Sequence, residues 1–468
     1  MSEIKIQRPG SVDLRSLYLC SPKSQPAIDL TPFLIEFGLY EDIFNNALTG
    51  YVVLSDSRNL ISSLPILCEE FIYVNYITPT LPEDQRIEKA FRVFSVTDRK
   101  VVRDTNTQVY TLNFCSLELM HDSFSRVYDS FENEALSTTA SEVFRDFIGT
   151  NSKITLDENA NWSWTEEKTS LLESTTTLNG GKFISPGWSP FKLMNWLASK
   201  SIPQSYSACN FLFYESNKGF NFTLVEKLLK DGFSNPLGPY YYYPSGIPNK
   251  DVTDLMFRVN AMEVVFANDT MKNTNLGYYA NQLVEIDLYN KKVEYKAYDH
   301  IGSFLNYFHT NGNESIRPFF YDDITKREPL SYMRVYPKNE KLFQNPDSKF
   351  PPNINEKMSE VFGNRHSNLQ DLTNLKLVLE IPGRTDMKIG DVILFKVPMI
   401  STRSMEDSSK GHLDPLYNGR YLITAIRHKI RAGEHMMTIE IISDSLSTLQ
   451  EDLVLWKMFT LNLFGGSV

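Results

Sequence analysis

Residues 28–77, IDLTPFLIEFGLYEDIFNNALTGYVVLSDSRNLISSLPILCEEFIYVNYI, contain three runs of β-forming residues separated by turn chemistry. Ile28 to Phe44 alternates apolar residues with acids, and Gly50 to Leu54 follows the turn-rich Asn45-Asn46. Phe71 to Ile77 is aromatic and β-branched and stops short of Pro79. Such residues suit a pleated, half-buried surface, so all three runs are read as strands. Asn59 to Pro65, between the second and third, is expected to be a short helix.

The pattern continues outward. Phe91 to Val96 and Val109 to Leu119 read as two further strands joined by the turn residues Asp104 to Thr107. Strict alternation would put Phe91, Val93 and Ser95 on one face and Arg92, Phe94 and Val96 on the other. Five or six antiparallel strands, curled into a barrel or sandwich, are expected in this region.

Around Thr139 the period changes from two to that of a helix. Thr139-Ala140-Ser141-Glu142 fits a capping box, and Val143, Phe144 and Phe147 form an apolar stripe. A second helix is expected after Ser189 as N-cap with Pro190 at the first helical position. Phe211 to Glu215 and Phe220 to Leu224 flank Ser216-Asn217-Lys218-Gly219, a hairpin turn. Together these segments predict an α+β insert.

Strands resume at Leu255 to Phe266 and at Leu283 to Tyr298, the latter as a hairpin around Asn290-Lys291. Ile301 to Asn368 is polar, aromatic and Pro-rich, and long loops are expected there. A second strand-dense core follows: Leu375 to Ile381, Ile389 to Pro398, Gly419 to Ile426 and His435 to Ile442, with Arg431 to Glu434 as a hairpin turn. No short constant repeat is present, which argues against solenoids and propellers.

A chain of 468 residues is too long for one ordinary core. Its net charge of -10 argues against a surface built to hold phosphate backbones. No apolar run is long enough for a membrane span, and the start has no apolar signal region. Cys20, Cys68, Cys115 and Cys209 lack paired metal or redox spacing and are read as reduced, mostly buried thiols.

The common signatures of nucleophilic, phosphate-binding, dinucleotide and zinc-peptidase sites are absent. The histidines (His121, His300, His309, His366, His412, His428, His435) are scattered. His428 and His435 fall on two strands of one hairpin, where a cross-strand metal site is the minor alternative to hydrogen-bonded side chains. The acidic pairs Glu41-Asp42, Glu69-Glu70 and Asp322-Asp323 are weak candidates for two-carboxylate glycoside hydrolysis, since neighbours on a strand diverge. No catalytic, cofactor-binding or metal-ligating residue is therefore assigned, and the chain is expected not to be an enzyme. Tyr240 to Tyr243, between prolines, is read as an ordered linker on a neighbouring domain rather than a binding strip. Leu453 to Phe464 is expected to dock on this chain or a partner.

Taken in order, the 28–76 segment, FLFYESNKGFNFT (residues 211–223), GRYLITAIRH (residues 419–428) and MMTIEIISDSL (residues 436–446) resemble the baseplate central hub proteins of T-even-like contractile-tailed phages. The resemblance implies a predominantly β, α+β chain with two tube-like antiparallel β-barrel domains, an inserted α+β domain and extra loops. On that basis the first barrel is expected in 1–130, the insert in 131–245 and the second barrel in 246–300 plus 370–446. A loop-rich insertion (301–369) and a C-terminal docking segment (447–468) complete the division. It further implies a homotrimer forming a pseudo-sixfold ring, joined to a trimeric central spike, to hexameric tube or tube-initiator proteins and to baseplate wedge proteins. DNA would pass the lumen unbound, no membrane would be involved, and the protein would assemble in the host cytoplasm into the virion. A tail-associated peptidoglycan hydrolase and a receptor- or glycan-binding tail module are the alternatives.

Overall fold

Six strands pair antiparallel in the spatial order Asp13–Cys20, Phe71–Ile77, Ile87–Val102, Thr107–Ser116, Thr49–Asp56 and Leu34–Asp42. The computed structural model describes residues 8–63, 66–102, 107–132, 134–157, 159–242, 255–267, 269–288, 290–311, 333–337, 358–397, 413–414 and 416–447. These six strands do not close on themselves. The free edge of Leu34–Asp42 pairs with Ala425 to Ile430 of the strand Gly419–Arg431. On the other side Ser11 bridges Glu434, and the His435 N–H donates to the Gly10 carbonyl at 2.6 Å. The tip of the hairpin Gly419–Arg431/Glu434–Ser443 thus completes the first barrel, and Ile430 shares a buried cluster with Phe37, Phe91 and Phe114.

The same hairpin forms one wall of a second barrel. Gly419–Arg431 pairs with Glu434–Ser443, which pairs with Leu375–Pro382, which pairs with Ala261–Ala267. Arg258–Val259, just before that last strand, runs parallel to Leu237–Tyr242, and Leu237–Tyr242 runs parallel to Val392–Lys396. Val392–Lys396 returns antiparallel to Gly419–Arg431. Leu377, Leu379, Ile393, Phe395, Ile423 and Ile439 fill the interior. Ala432 and Gly433, both at positive φ, make the tight turn of the shared hairpin.

The insert lies beside both barrels. Helices Leu136–Val143 and Pro190–Lys200 and the hairpin Phe211–Ser216/Gly219–Leu224 enclose an aromatic core containing Phe144, Phe191, Phe213 and Phe220. The short helix Leu60–Ser63 and the turns at Asn217-Lys218 and Ala432-Gly433 lie where the sequence places them.

Several local expectations are corrected. The helix read from Thr139 begins at Leu136, and its early Ser137 N–H donates to Thr177 Oγ at 3.0 Å, so a distant hydroxyl replaces the expected capping box. Ser189 precedes the next helix as read, but the Phe191 N–H is capped by Asp122 at 2.6 Å. A bulge between Val93 and Ser95 leaves Phe94 on the outer face but sends Val96 toward the core, reversing the expected face for Val96. Tyr240 to Tyr242 form a second-barrel strand instead of a linker. The irregularity between Leu237 and Tyr240 lets Pro239 sit in the ladder without an N–H to donate. That strand runs parallel to both neighbours, so the second barrel is mixed rather than purely antiparallel.

The hairpin Ala280–Asp287/Lys292–Asp299 leaves the second barrel, where the sequence places it, and pairs with Met333–Pro337 in a separate three-stranded sheet. The helix Met358–Asp371 packs against this sheet, within the stretch read as loop. Its inward side carries Asn364, Ser367, Asn368 and Asp371, so it lacks the apolar period that reveals a helix. Polar partners hold it instead. Arg365 donates to the carbonyls of Ala198, Cys209 and Phe211, and Asn364 both accepts from the Cys209 N–H and donates to the Ser207 carbonyl.

Candidate functional site

The two barrels and the insert meet at one seam, and strand alternation decides which side chains occupy it. On Leu34–Asp42, Phe37, Leu39 and Glu41 point inward and Glu36 and Tyr40 outward. On Gly419–Arg431, Ile426, His428 and Ile430 point inward and Arg427 and Lys429 outward. Glu41 and His428 are therefore sealed in the interior, both side chains fully buried and 3.0 Å apart between Oε1 and Nε2. Nδ1 of His428 lies 3.1 Å from Nε2 of His435, whose ring meets Tyr76 edge-on. Burial, and then the neighbouring His428, hold the His435 pKa well below that of an ordinary histidine.

The other oxygen of Glu41 accepts from the Asn217 N–H at 3.0 Å, and the Asn217 amide donates to the Met387 carbonyl. The turn of the insert hairpin is thus tied to both barrels through one buried carboxylate. Thr78 and Thr385 exchange N–H to Oγ hydrogen bonds at 3.2 Å nearby. On the solvent side, Tyr51 donates to Glu36 at 2.5 Å, Arg427 donates to the Tyr51 hydroxyl, and Lys429 stands 3.4 Å from Glu36. Gly38 makes that outer layer fit, because a Cβ there would lie 2.3 Å from the Tyr51 ring. This is a chemistry of fastening: each charge faces a fixed partner.

Next to the seam a cavity of about 1190 Å³ opens between the outer face of the first barrel and the insert. Tyr73, Lys89, Ser116 and Glu118 line one side, and Phe144, Ile154, Glu215 and Phe220 line the other. Glu215 is almost fully buried. It accepts from the Leu48 N–H at 2.9 Å, from Lys89 at 2.8 Å and from the Ser116 hydroxyl. Glu118, in the first turn of helix Leu117–Phe124, is equally buried. Burial and the nearby Glu215 raise its pKa well above the usual carboxylate range. The two acids stand far apart in sequence on elements with no shared motif, so sequence reading missed the pair.

The chain resembles a phage baseplate hub protein. It is 22% identical over 431 residues to a protein named as a probable baseplate hub protein of Vibrio phage KVP40, covering 87% of this chain and 89% of that one. No family model matches. Among solved structures, it aligns with the 43 kDa tail protein of prophage MuSo2 from Shewanella oneidensis at 9% identity and TM-score 0.48, covering 92% and 99% of the two chains. A tail protein from Neisseria meningitidis MC58 aligns at 9% identity and TM-score 0.48, with coverage of 92% and 96%. The prophage tail protein gp18 of Listeria monocytogenes aligns at 9% identity and TM-score 0.41, with coverage of 96% and 100%.

The residues singled out in this hub-like sequence find mostly structural places. Glu41 and Asp42 diverge, Glu41 to His428 and Asp42 to the N–H of Phe44. Glu70 is buried and accepts from two preceding N–H groups, while Glu69 is exposed beside Lys23. His428 and His435 do come together, but as a hydrogen-bonded pair with Glu41. Among the described residues no group of His, Cys, Asp and Glu could hold a metal ion. His300 pairs with Asp371, His309 with Asp444, and His366 with the Leu276 carbonyl, while His121 lies against Phe124. Cys20, Cys115 and Cys209 are buried, Cys68 is partly exposed, and none is in a disulfide. His412, Asp322-Asp323, Tyr243 and Leu453 to Phe464 lie outside the described residues. No helix among the described residues is long and apolar enough to cross a membrane.

Proposed function

We propose that this chain is the structural hub of a contractile phage-tail baseplate. Three copies form a pseudo-sixfold ring that joins a hexameric tail tube to a trimeric central spike, with wedge proteins around it. The observation that carries the reading is the shared hairpin. Two barrels locked through one strand pair are a rigid double unit, and three such units present six barrels to a sixfold tube. The sequence similarity to a phage hub protein along most of the chain supports the same assignment.

In this reading the division is the one expected from the sequence, with the strand Leu237–Tyr242 counted with the second barrel and the hairpin Ala280–Asp287/Lys292–Asp299 and helix Met358–Asp371 set apart from it. The net charge of -10 lets DNA pass the ring without adhering. The protein assembles in the host cytoplasm and ends in the virion, with no membrane and no catalytic step of its own. A hydrolase reading draws only on the approach of Glu118 and Glu215, and Glu215 is already occupied by three donors.

Native mass spectrometry and electron microscopy of the purified chain, alone and with its spike partner, test the proposal. A closed trimeric ring is the expected result. A chain that stays monomeric at high concentration with the spike present overturns it. Clearing of host peptidoglycan by the chain, lost on Glu118→Gln, would move the hydrolase reading to first place.

A further inference from the structure

The cavity beside the seam contains a buried acid to which no other described residue donates. At the rim, Arg15 forms a paired ion bridge with Glu83, Arg86 stands 2.5 Å from Glu88, and Lys218 donates to the Asp84 carbonyl. Deeper in, Lys89 donates to Glu215 and to the Ser216 carbonyl. Glu118 remains. It is about nineteen-twentieths buried, lines the cavity, and is hydrogen-bonded by its own backbone N–H, with no donor from another residue among the described ones. The charges that act on it are Glu215 from the insert hairpin and Lys89 from the strand Ile87–Val102, while Lys168, Arg86 and Lys218 line other parts of the cavity.

A buried carboxyl whose one donor is its own N–H costs free energy when ionised, so burial and the neighbouring Glu215 favour the protonated form of Glu118. A cation entering the cavity would reverse that balance. The walls suit one that carries a hydrocarbon stem: Phe144, Ile154, Leu171 and Phe220 offer apolar surface, and Tyr73 offers an aromatic ring. An anion would meet the two carboxyls Glu118 and Glu215, and Lys89, the cation that acts on Glu118, is committed to Glu215. The position between two units of the fold is also a common location for ligand sites.

We propose that this cavity binds one organic cation, an alkylammonium or guanidinium group on a short aliphatic stem, with Glu118 as its counter-ion. The source is a free amine or the basic side chain of another polypeptide; the recognition chemistry is the same. Binding converts the Glu118 carboxyl to carboxylate, and its proton leaves to the buffer.

Isothermal titration of the full-length chain with n-butylammonium, N-acetyl-lysine amide and n-butanol, near neutral pH in phosphate and in HEPES, tests this. Saturable heat with the two cations and none with the alcohol is expected, with a buffer-dependent part reporting proton release. Glu118→Gln should weaken cation binding by at least about tenfold and abolish the buffer dependence. Tighter binding of the lysine amide than of the simple amine assigns the site to a polypeptide side chain, and the reverse assigns it to a free amine. Absence of saturable heat with both cations, or equal binding of the alcohol, overturns the proposal. Cation binding to the unaltered chain without proton release overturns it as well, and that result needs no folded variant.

Discussion

Glu41 and His428, 387 positions apart in the chain, meet at 3.0 Å inside the protein with neither side chain reaching solvent. One carboxylate thereby connects a strand of the first barrel, a strand common to both barrels and, through the Asn217 N–H, the insert. Removing one member of a buried charged network leaves the others desolvated and unpaired, which costs more than the pair itself contributes. Glu41→Ala is therefore expected to lower stability by about 3 kcal/mol, and Glu41→Gln, which keeps an acceptor, by roughly half of that. Denaturant unfolding checks the order; equal losses in the two variants would contradict it.

Two histidines give the chain opposite pH limbs. His309 is desolvated, which alone would lower its pKa, but Asp444 at 2.8 Å outweighs burial and raises it to about 9. A raised pKa stabilises fully below the unfolded value of 6.5 and is lost as pH climbs through about 9, here at most about 3 kcal/mol. His435 is depressed, so its contribution is present above the unfolded value and is lost as pH falls below it. Thermal midpoints measured against pH should fall on both sides of the unfolded histidine value. His309→Gln should flatten the alkaline limb while leaving the His435 part of the acid limb in place.

The first barrel borrows its closing strands from the far end of the chain. A fragment of residues 1–130 lacks Ala425 to Ile430 and the Glu434 bridge, leaving Leu34–Asp42 and the Ser11 region as open edges. It is expected to lack fixed tertiary packing, seen as collapsed near-ultraviolet dichroism and poor amide dispersion. A well-dispersed spectrum from the fragment alone would show that the hairpin is dispensable. Ile430→Ala in the full chain should destabilise by about 2 to 4 kcal/mol as a core truncation.

Arg365 replaces an apolar helix contact by a three-pronged polar one. Burial lowers its pKa to about 10, and one Nη donates to the carbonyls of Ala198, Cys209 and Phe211. Lysine ends one bond short of that Nη, so its ammonium cannot stand where the three carbonyls converge. Arg365→Lys should cost about 2 kcal/mol, and Arg365→Met more, because the three carbonyls then lose their shared donor. Hydrogen exchange at Phe211 and Leu212 should rise in both variants if the contact fixes this edge of the insert.

Strand and turn chemistry is local, so the 28–77 runs, the Ala432-Gly433 hairpin and the helix after Ser189 were all legible in the sequence. Resemblance along most of residues 28–446 also pointed to a hub. Side-chain period failed where burial is polar: Met358–Asp371 is held by Asn364, Arg365 and Asp371, and no periodicity scale marks such a helix. It failed again at the Val93–Ser95 bulge, since one extra residue exchanges faces without changing composition. The division of strands between barrels was a tertiary decision. Hydrogen-bonding edges carry no address, so only folding settled that Gly419–Arg431 serves both rings and that Leu237–Tyr242 joins the second. The same holds for Glu41, His428 and His435, and for Glu118 beside Glu215. Each is an ordinary residue in the sequence; the lowered pKa of His435, the raised pKa of Glu118 and the buried hydrogen bonds of Glu41, His428 and Glu215 arise only from the neighbours and the burial that the fold imposes.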